Sequence, residues 1–252
     1  MKNCIMAQME YRFNFFISFF LDCAFLTTRI VYVLIINETG IEINGWTSDG
    51  IILHIGVFTM LSGIYALCFV NNFFKISDYI RTGELDIYIT KPISSQFMVT
   101  MRYVDFGMAI PDFFGGIIIV AIAWKRLGLD LNILTIVGFI GLLFCSSIVM
   151  YAIFLLPHVI SFWIIKNKAL KVISDSLFEF NNMPMIIYNR IFQIIGIFLL
   201  PIFTIANFPS MYLLGKLNGF FAIWAIVIPI ISMLVIRFIW KKGMMSYTST
   251  GS

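Results

Sequence analysis

Long apolar runs constrain this chain more than any other feature. They cover residues 13–36, 51–74, 103–124, 133–157, 186–206 and 220–240. Each is close to the roughly 20 residues that a helix needs to cross a bilayer core. Six such runs in 252 residues leave no polar stretch long enough to fold by itself. Only 12% of the residues are charged, against about a quarter in soluble proteins. The pattern predicts an all-α membrane protein, residues 1–252 forming a single transmembrane domain of six transmembrane helices. The fourth run begins near Ile133 and extends toward Ile165, with Pro157 and His158 expected to kink or end it.

The segments between the runs set the orientation. Lys2, Arg12, Lys75, Arg81, Lys91, Arg102, Lys166, Lys168, Lys171, Arg190, Lys241 and Lys242 share one side if both termini do. Lys125, Arg126 and Lys216 fall on the other, and Arg29 and Arg237 lie within runs. Because basic residues collect on the cytoplasmic side, both termini are expected there. Residues 1 to about 13 are short and mixed in charge, which suits an N-terminal interfacial helix. Glu10, Arg12 and Asp22 also argue against a cleaved signal peptide. Cys4, Cys23, Cys68 and Cys145 lie far apart, without metal-ligand spacing, and read as reduced thiols.

The longest stretch that lipid would not accept between runs is Arg81 to Phe97. Arg81, Glu84, Asp86 and Lys91 charge it, Gly83 frees one backbone position, and Pro92 stops a straight helix. Leu85 to Ile89 alternates as an extended strand or a tight helical step, and a helical pattern resumes at Ser94. Within residues 75–102 this reads as a cytoplasmic docking element.

Those residues also carry a resemblance. Gly83-Glu84-Leu85-Asp86, followed by Lys91-Pro92-Ile93-Ser94 and Phe97, resembles the loop between the second and third spans of bacterial ABC type-2 transporter permeases. Ile195 to Gly215 and the tail with Trp240, Gly243, Tyr247, Ser249 and Gly251 extend the likeness over the full length. The closest subgroup is the six-span exporter membrane subunits of roughly 260 residues.

The resemblance implies a permease in the bacterial inner (cytoplasmic) membrane. Its loop would be a coupling helix between spans 2 and 3, with Arg81, Gly83, Glu84, Leu85, Asp86, Lys91 and Pro92 pressing on a separate ABC ATPase subunit. Two ATPase copies would bind ATP and Mg, this chain binding no cofactor itself. Six spans make half a path, so a second permease is expected, as a homodimer or with a sister permease. No nucleic-acid partner is expected. The family also places a re-entrant hairpin between spans 5 and 6 at an outer gate, matched here by Asn207, Phe208 and Pro209. The sequence itself predicts two short helical pieces around a break in 207–219, because Pro209 removes a donor and irregular backbone near lipid must be buried or line water.

Enzymatic motifs are absent: the sequence has no G-x-x-x-x-G-K-[ST] loop and no Cys/His cluster, and His54 and His158 read as satisfied side chains. Ionisable residues inside spans mark pathways or partners. Asp22 lies about nine residues into the first span, near the midplane. It lines an inter-subunit cavity or hydrogen-bonds neighbouring helices. Arg29, about 10 Å further along, is too far to pair with Asp22 and can snorkel outward. Asp112, after Pro111, is the third pathway candidate. If some of the many first-span phenylalanines face a pathway, the exported substrate is amphipathic or hydrophobic. The competing readings are a six-span channel or ion-coupled carrier, and a non-transporting immunity or scaffold protein. Few intramembrane charges and no repeat or filter-like stretch weigh against the carrier.

Overall fold

Backbone groups in apolar runs find no water to bond, and this chain satisfies them with helix nearly throughout. The computed structural model describes residues 12–164 and 167–247. Its helices are α1 (Arg12–Thr39), α2 (Ser48–Tyr65), α3 (Asn71–Thr82), α4 (Asp86–Ile89), α5 (Ser95–Thr100), α6 (Ile110–Arg126), α7 (Ile133–Val159), α8 (Asn167–Glu179), α9 (Arg190–Ile194), α10 (Phe203–Leu213) and α11 (Gly219–Ser246). Wide π turns at Ala66–Val70 and Ile195–Leu199 join α2 to α3 and prolong α9. The expected N-terminal interfacial helix falls almost wholly outside the described residues, as do Ser249 and Gly251 of the tail.

Among the described residues, four continuous helices are long and apolar enough to cross a membrane: Phe15–Thr39, Ser48–Thr82, Ile133–Phe162 and Gly219–Ser246. A fifth exists if Arg190–Leu199 and Phe203–Leu213, bent by 103°, count as one. Helix α6 has 17 residues, at the lower limit for a crossing of about 17.

Helix α2 is apolar on all sides and is buried along nearly its whole length. It is the central post, contacted by α1, α6, α7 and α10. Glycines set its closest contact. A Cβ at Gly63 would stand 2.6 Å from the Phe113 nitrogen, and one at Gly116 would overlap the Met60 nitrogen. Small residues of this kind let helices approach closely where lipid supplies no hydrophobic drive between them. By contrast α1 leaves Phe13, Phe20 and Phe25 exposed and packs through one edge, with Leu26 over Gly115.

Three expectations are corrected. The third run does not become helix at Tyr103. Residues 103–109 are irregular, and α6 starts at Ile110 with Pro111 in its first turn, where a missing amide costs nothing. The π turn widens the backbone of the facing helix, and the Leu67 carbonyl accepts the Asp105 N–H at 3.0 Å. Asn72 closes the seam, donating to the Tyr103 carbonyl and accepting its N–H, both at 2.8 Å.

The second correction concerns the fifth run, expected as a straight span over 186–206 with a break at Asn207-Phe208-Pro209. Those three residues lie inside α10 and are buried. The break falls at 200–202, where Leu200 is extended (φ −119°, ψ 87°) because a residue preceding proline, here Pro201, disfavours helix. The stretch from Asn167 onward, expected as a polar cytoplasmic segment, enters the bundle instead. Ser174 meets His158 at 3.2 Å, Phe178 stacks on Tyr65 at 5.2 Å, and the Asn181 carbonyl meets His54 at 3.1 Å. Further on, the Ile186 carbonyl accepts from Asn44 at 2.9 Å. Residues 174–186 therefore run from the end of α7 that holds His158 to the loop at the start of α2. The buried face of α8 carries Leu170 and Ser174, whereas Ile173 is exposed.

Candidate functional site

The segment expected to dock a partner is built on the end of α3. Gly83 terminates that helix in the left-handed region (φ 76°), which glycine enters without penalty, and the Leu85 N–H returns to the Tyr79 carbonyl at 3.1 Å. Leu85 is fully buried and Tyr88 nearly so, with Tyr88 packed on Tyr79 at 5.3 Å. Residues 86–89 take the helical step rather than the strand. Downstream, Gln96 donates to the Tyr151 hydroxyl and Thr100 pairs with the same oxygen, each at 3.0 Å. Trp240 reaches Ser95 at 3.4 Å. The segment is thus fastened to α3, α7 and α11 at once.

Its outer surface is what a partner would meet. Glu84, Ile87, Ile89, Lys91, Pro92, Ile93 and Phe97 are exposed, Phe97 by 60%. Apolar patches rimmed by charge of this kind occur at protein and membrane contacts. Arg81 pairs with exposed Asp78 at 3.4 Å, an interaction worth little. Asp86 turns toward the C-terminal Tyr247: burial first, then the Asp86 carboxylate, push the Tyr247 phenol above its ordinary value. The candidate residues therefore divide into two sets. Glu84 and Lys91 point outward, whereas Gly83, Leu85 and Asp86 hold the shape.

The three pathway candidates, Asp22, Arg29 and Asp112, come together. Asp112 lies 2.5 Å from Arg29, whose guanidinium also sits 5.1 Å from the Phe58 ring centroid. Arg29 therefore does not snorkel outward. Asp22 Oδ2 accepts the Asp112 N–H at 3.1 Å. Helix α6 has no side-chain cap of its own, so a carboxylate from α1 satisfies one of its orphan amides. Asp112 Oδ1 is buried without a hydrogen-bond partner. As expected, Asp22 and Arg29 do not pair with each other. Asp112 links them, a role that nothing in their own helix could reveal.

The bent pair α9–α10 surrounds a polar seam of which sequence reasoning named only Asn207. His54 meets the Asn181 carbonyl on one nitrogen and Ser210 on the other at 3.4 Å. Asn207 accepts the Met185 N–H at 2.7 Å, locking α10 to residues 181–185. Its signal was present, two asparagines beside apolar runs, but both sit next to helix breakers and read as loop. Among the described residues no group of His, Cys, Asp or Glu could hold a metal ion.

A family model described as "ABC-2 family transporter protein" matches residues 23–251. No curated protein and no solved structure matches the chain.

Proposed function

The chain belongs to the ABC-2 family of transporter proteins, and from that premise we propose that it is the membrane permease subunit of an exporter driven by separate ATPase subunits. One observation carries the reading: a short segment, exposed and apolar on its outer surface, is clamped by buried anchors to three helices. Such a segment converts a push from a partner into movement of the bundle. Glu84, Lys91 and the exposed isoleucines meet the ATPase, and Gly83, Leu85, Asp86 and Pro92 shape the contact.

Six crossings follow from this reading: α1, α2 with α3, residues 101–109 with α6, α7, residues 167–187, and α11. The fifth is amphipathic and leaves Asp175, Ser176 and Glu179 exposed. In a bilayer such a face needs water or a partner, so it lines the export path, which a second permease completes. The bent pair α9–α10 is then the re-entrant hairpin of the outer gate, with its break at 200–202 and its tip anchored by Asn207. Although this path moves Arg190 to the outer side, the remaining basic residues still favour both termini in the cytoplasm. A substrate pathway that combines apolar and charged side chains suits an amphipathic molecule.

The test is purification of the tagged chain in mild detergent after co-expression with ABC ATPase subunits encoded near its gene. Co-elution of an ATPase in equal proportion supports the reading. A chain that purifies alone, and conducts or exchanges ions by itself in liposomes, supports a channel or carrier instead.

A further inference from the structure

A tight turn joins α1 to α2, at the opposite end of the Ser48–Thr82 span from the coupling segment. Ile43 and Trp46 exchange backbone hydrogen bonds at 3.0 and 2.9 Å. Asn44 and Gly45 between them take positive φ, 45° and 81°. Asn-Gly is the pair that such a turn favours, because both central residues enter the left-handed region. Thr47 then starts α2, its side chain accepting the Gly50 N–H at 3.3 Å. The turn is a rigid extension of α2.

Its tip fastens two segments. Asn44 donates to the Ile186 carbonyl at 2.9 Å, which ties the turn to the stretch after α8. Lys216, just past the end of α10, donates to the Gly45 carbonyl and lies 5.5 Å from the Trp46 ring centroid. Trp46 is 3% exposed and stands edge-on to His54 at 6.1 Å. Beneath it, His54 touches the same two segments again, the Asn181 carbonyl on one nitrogen and Ser210 of α10 on the other. The turn is thus an upper tier over the polar seam.

The two tiers are unequal. In the seam, both ends of the Asn181 carboxamide and the Asn207 Nδ2 are buried without a hydrogen-bond partner. Unpaired buried groups cost free energy that hydration returns, so water entering the seam offsets part of the cost of parting it. Closure therefore depends on the upper tier, where Asn44 and Lys216 are both engaged.

We propose that the turn Ile43–Trp46 is the latch of the outer gate, with Asn44 and Lys216 as positioning residues that hold Trp46 over the seam. The proposal rests on the outer-gate reading of α9–α10 above. It also supplies a line of release. Ser48–Thr82 is one span of 35 residues, with the latch at its first end and the coupling segment at its last. A push on the coupling segment shifts this span, draws the turn away from Ile186 and Lys216, and lifts Trp46 from His54.

Ala206, fully buried in α10, is the reporter. Ala206→Cys, in a background lacking Cys4, Cys23, Cys68 and Cys145, is placed with the ATPase in right-side-out vesicles and exposed to a membrane-impermeant thiol reagent. With the latch intact, labelling should be slow at rest and fast when the vesicles are loaded with ATP. Asn44→Ala with Lys216→Met, changes at two exposed side chains, should raise the resting rate at least ~ten-fold at unchanged thermal stability. Lys216→Arg keeps a donor and a cation over Trp46, and should label at rest as slowly as the parent. Ser62→Cys, at a buried position within α2, is the control and should stay unlabelled at rest in every variant. A double variant whose resting rate equals the parent's, while ATP still accelerates both, would overturn the latch and leave the gate standing. Labelling of Ala206→Cys that never responds to ATP would remove the gate and the latch with it. Faster labelling of Ser62→Cys in the double variant would also overturn the proposal, because the substitutions would then have loosened the whole bundle.

Discussion

Arg29 and Asp112 approach to 2.5 Å across the contact between α1 and α6, and Asp22 completes the join by accepting the Asp112 amide. Removing one partner of a buried pair leaves the other charge unpaired, at a cost of about 3–5 kcal/mol. Arg29→Met should therefore lower the thermal stability of the purified protein markedly. Arg29→Met combined with Asp112→Leu should recover much of it. Equal melting temperatures for wild type and Arg29→Met would mean that the pair is solvated.

Asp22 separates two roles. Asp22→Asn keeps an acceptor for the α6 amide, so folding and insertion should be preserved. Asp22→Leu removes the cap and should cost about 0.5–2 kcal/mol. If the charge also serves transport, the Asp22→Asn variant will fold normally yet export more slowly in a reconstituted assay. Export at the wild-type rate would restrict Asp22 to capping.

Gly63 and Gly116 let α2 and α6 touch. Alanine at either position meets backbone rather than a flexible side-chain end, so overpacking of about 1–3 kcal/mol or more is expected. Gly141→Ala is the control, because nothing lies within 4 Å of a Cβ there. Thermal denaturation of the three variants checks the order, and a neutral Gly116→Ala would show that the contact is loose.

What the sequence disclosed followed from apolarity alone. The first, second, fourth and sixth runs are long helices, because a run rich in Leu, Ile and Phe buries or meets lipid whatever its neighbours do. The packing of residues 167–187 against the bundle was hidden for the opposite reason. Asn167–Glu179 carries Asp175 and Glu179, and a helix that is polar on one face looks cytoplasmic until its contacts with Tyr65, His158 and His54 are known. The prolines misled in a similar way: Pro209 is absorbed by a helix whose neighbours pack around it, whereas Pro201, after an extended Leu200, makes the bend. For the charges, Arg29 finds its partner 83 residues away, a distance over which helical spacing says nothing. The shape of the segment after α3 was legible because its signals are local: a glycine at the end of a helix, charges and a proline in one short stretch.

The hairpin can be probed with single cysteines in a background lacking Cys4, Cys23, Cys68 and Cys145. Positions 205–210 are buried, whereas Leu199 and Lys216 are exposed. A membrane-impermeant thiol reagent should react at 216 and spare 205–210 at rest, with reactivity at 205–210 appearing during ATP turnover. Uniform labelling independent of ATP would make this an ordinary external loop.

The central claim is that the segment after α3 transmits ATP hydrolysis to the bundle, and charge reversal at its exposed residues tests that most directly. ATP hydrolysis and substrate export should be measured together in proteoliposomes containing the permease and its ATPase. With Glu84→Lys and Lys91→Glu, the account predicts an intact, normally folded permease in which export falls at least ~ten-fold and hydrolysis no longer responds to substrate. Hydrolysis and export that remain coupled at wild-type rates in that variant would contradict it.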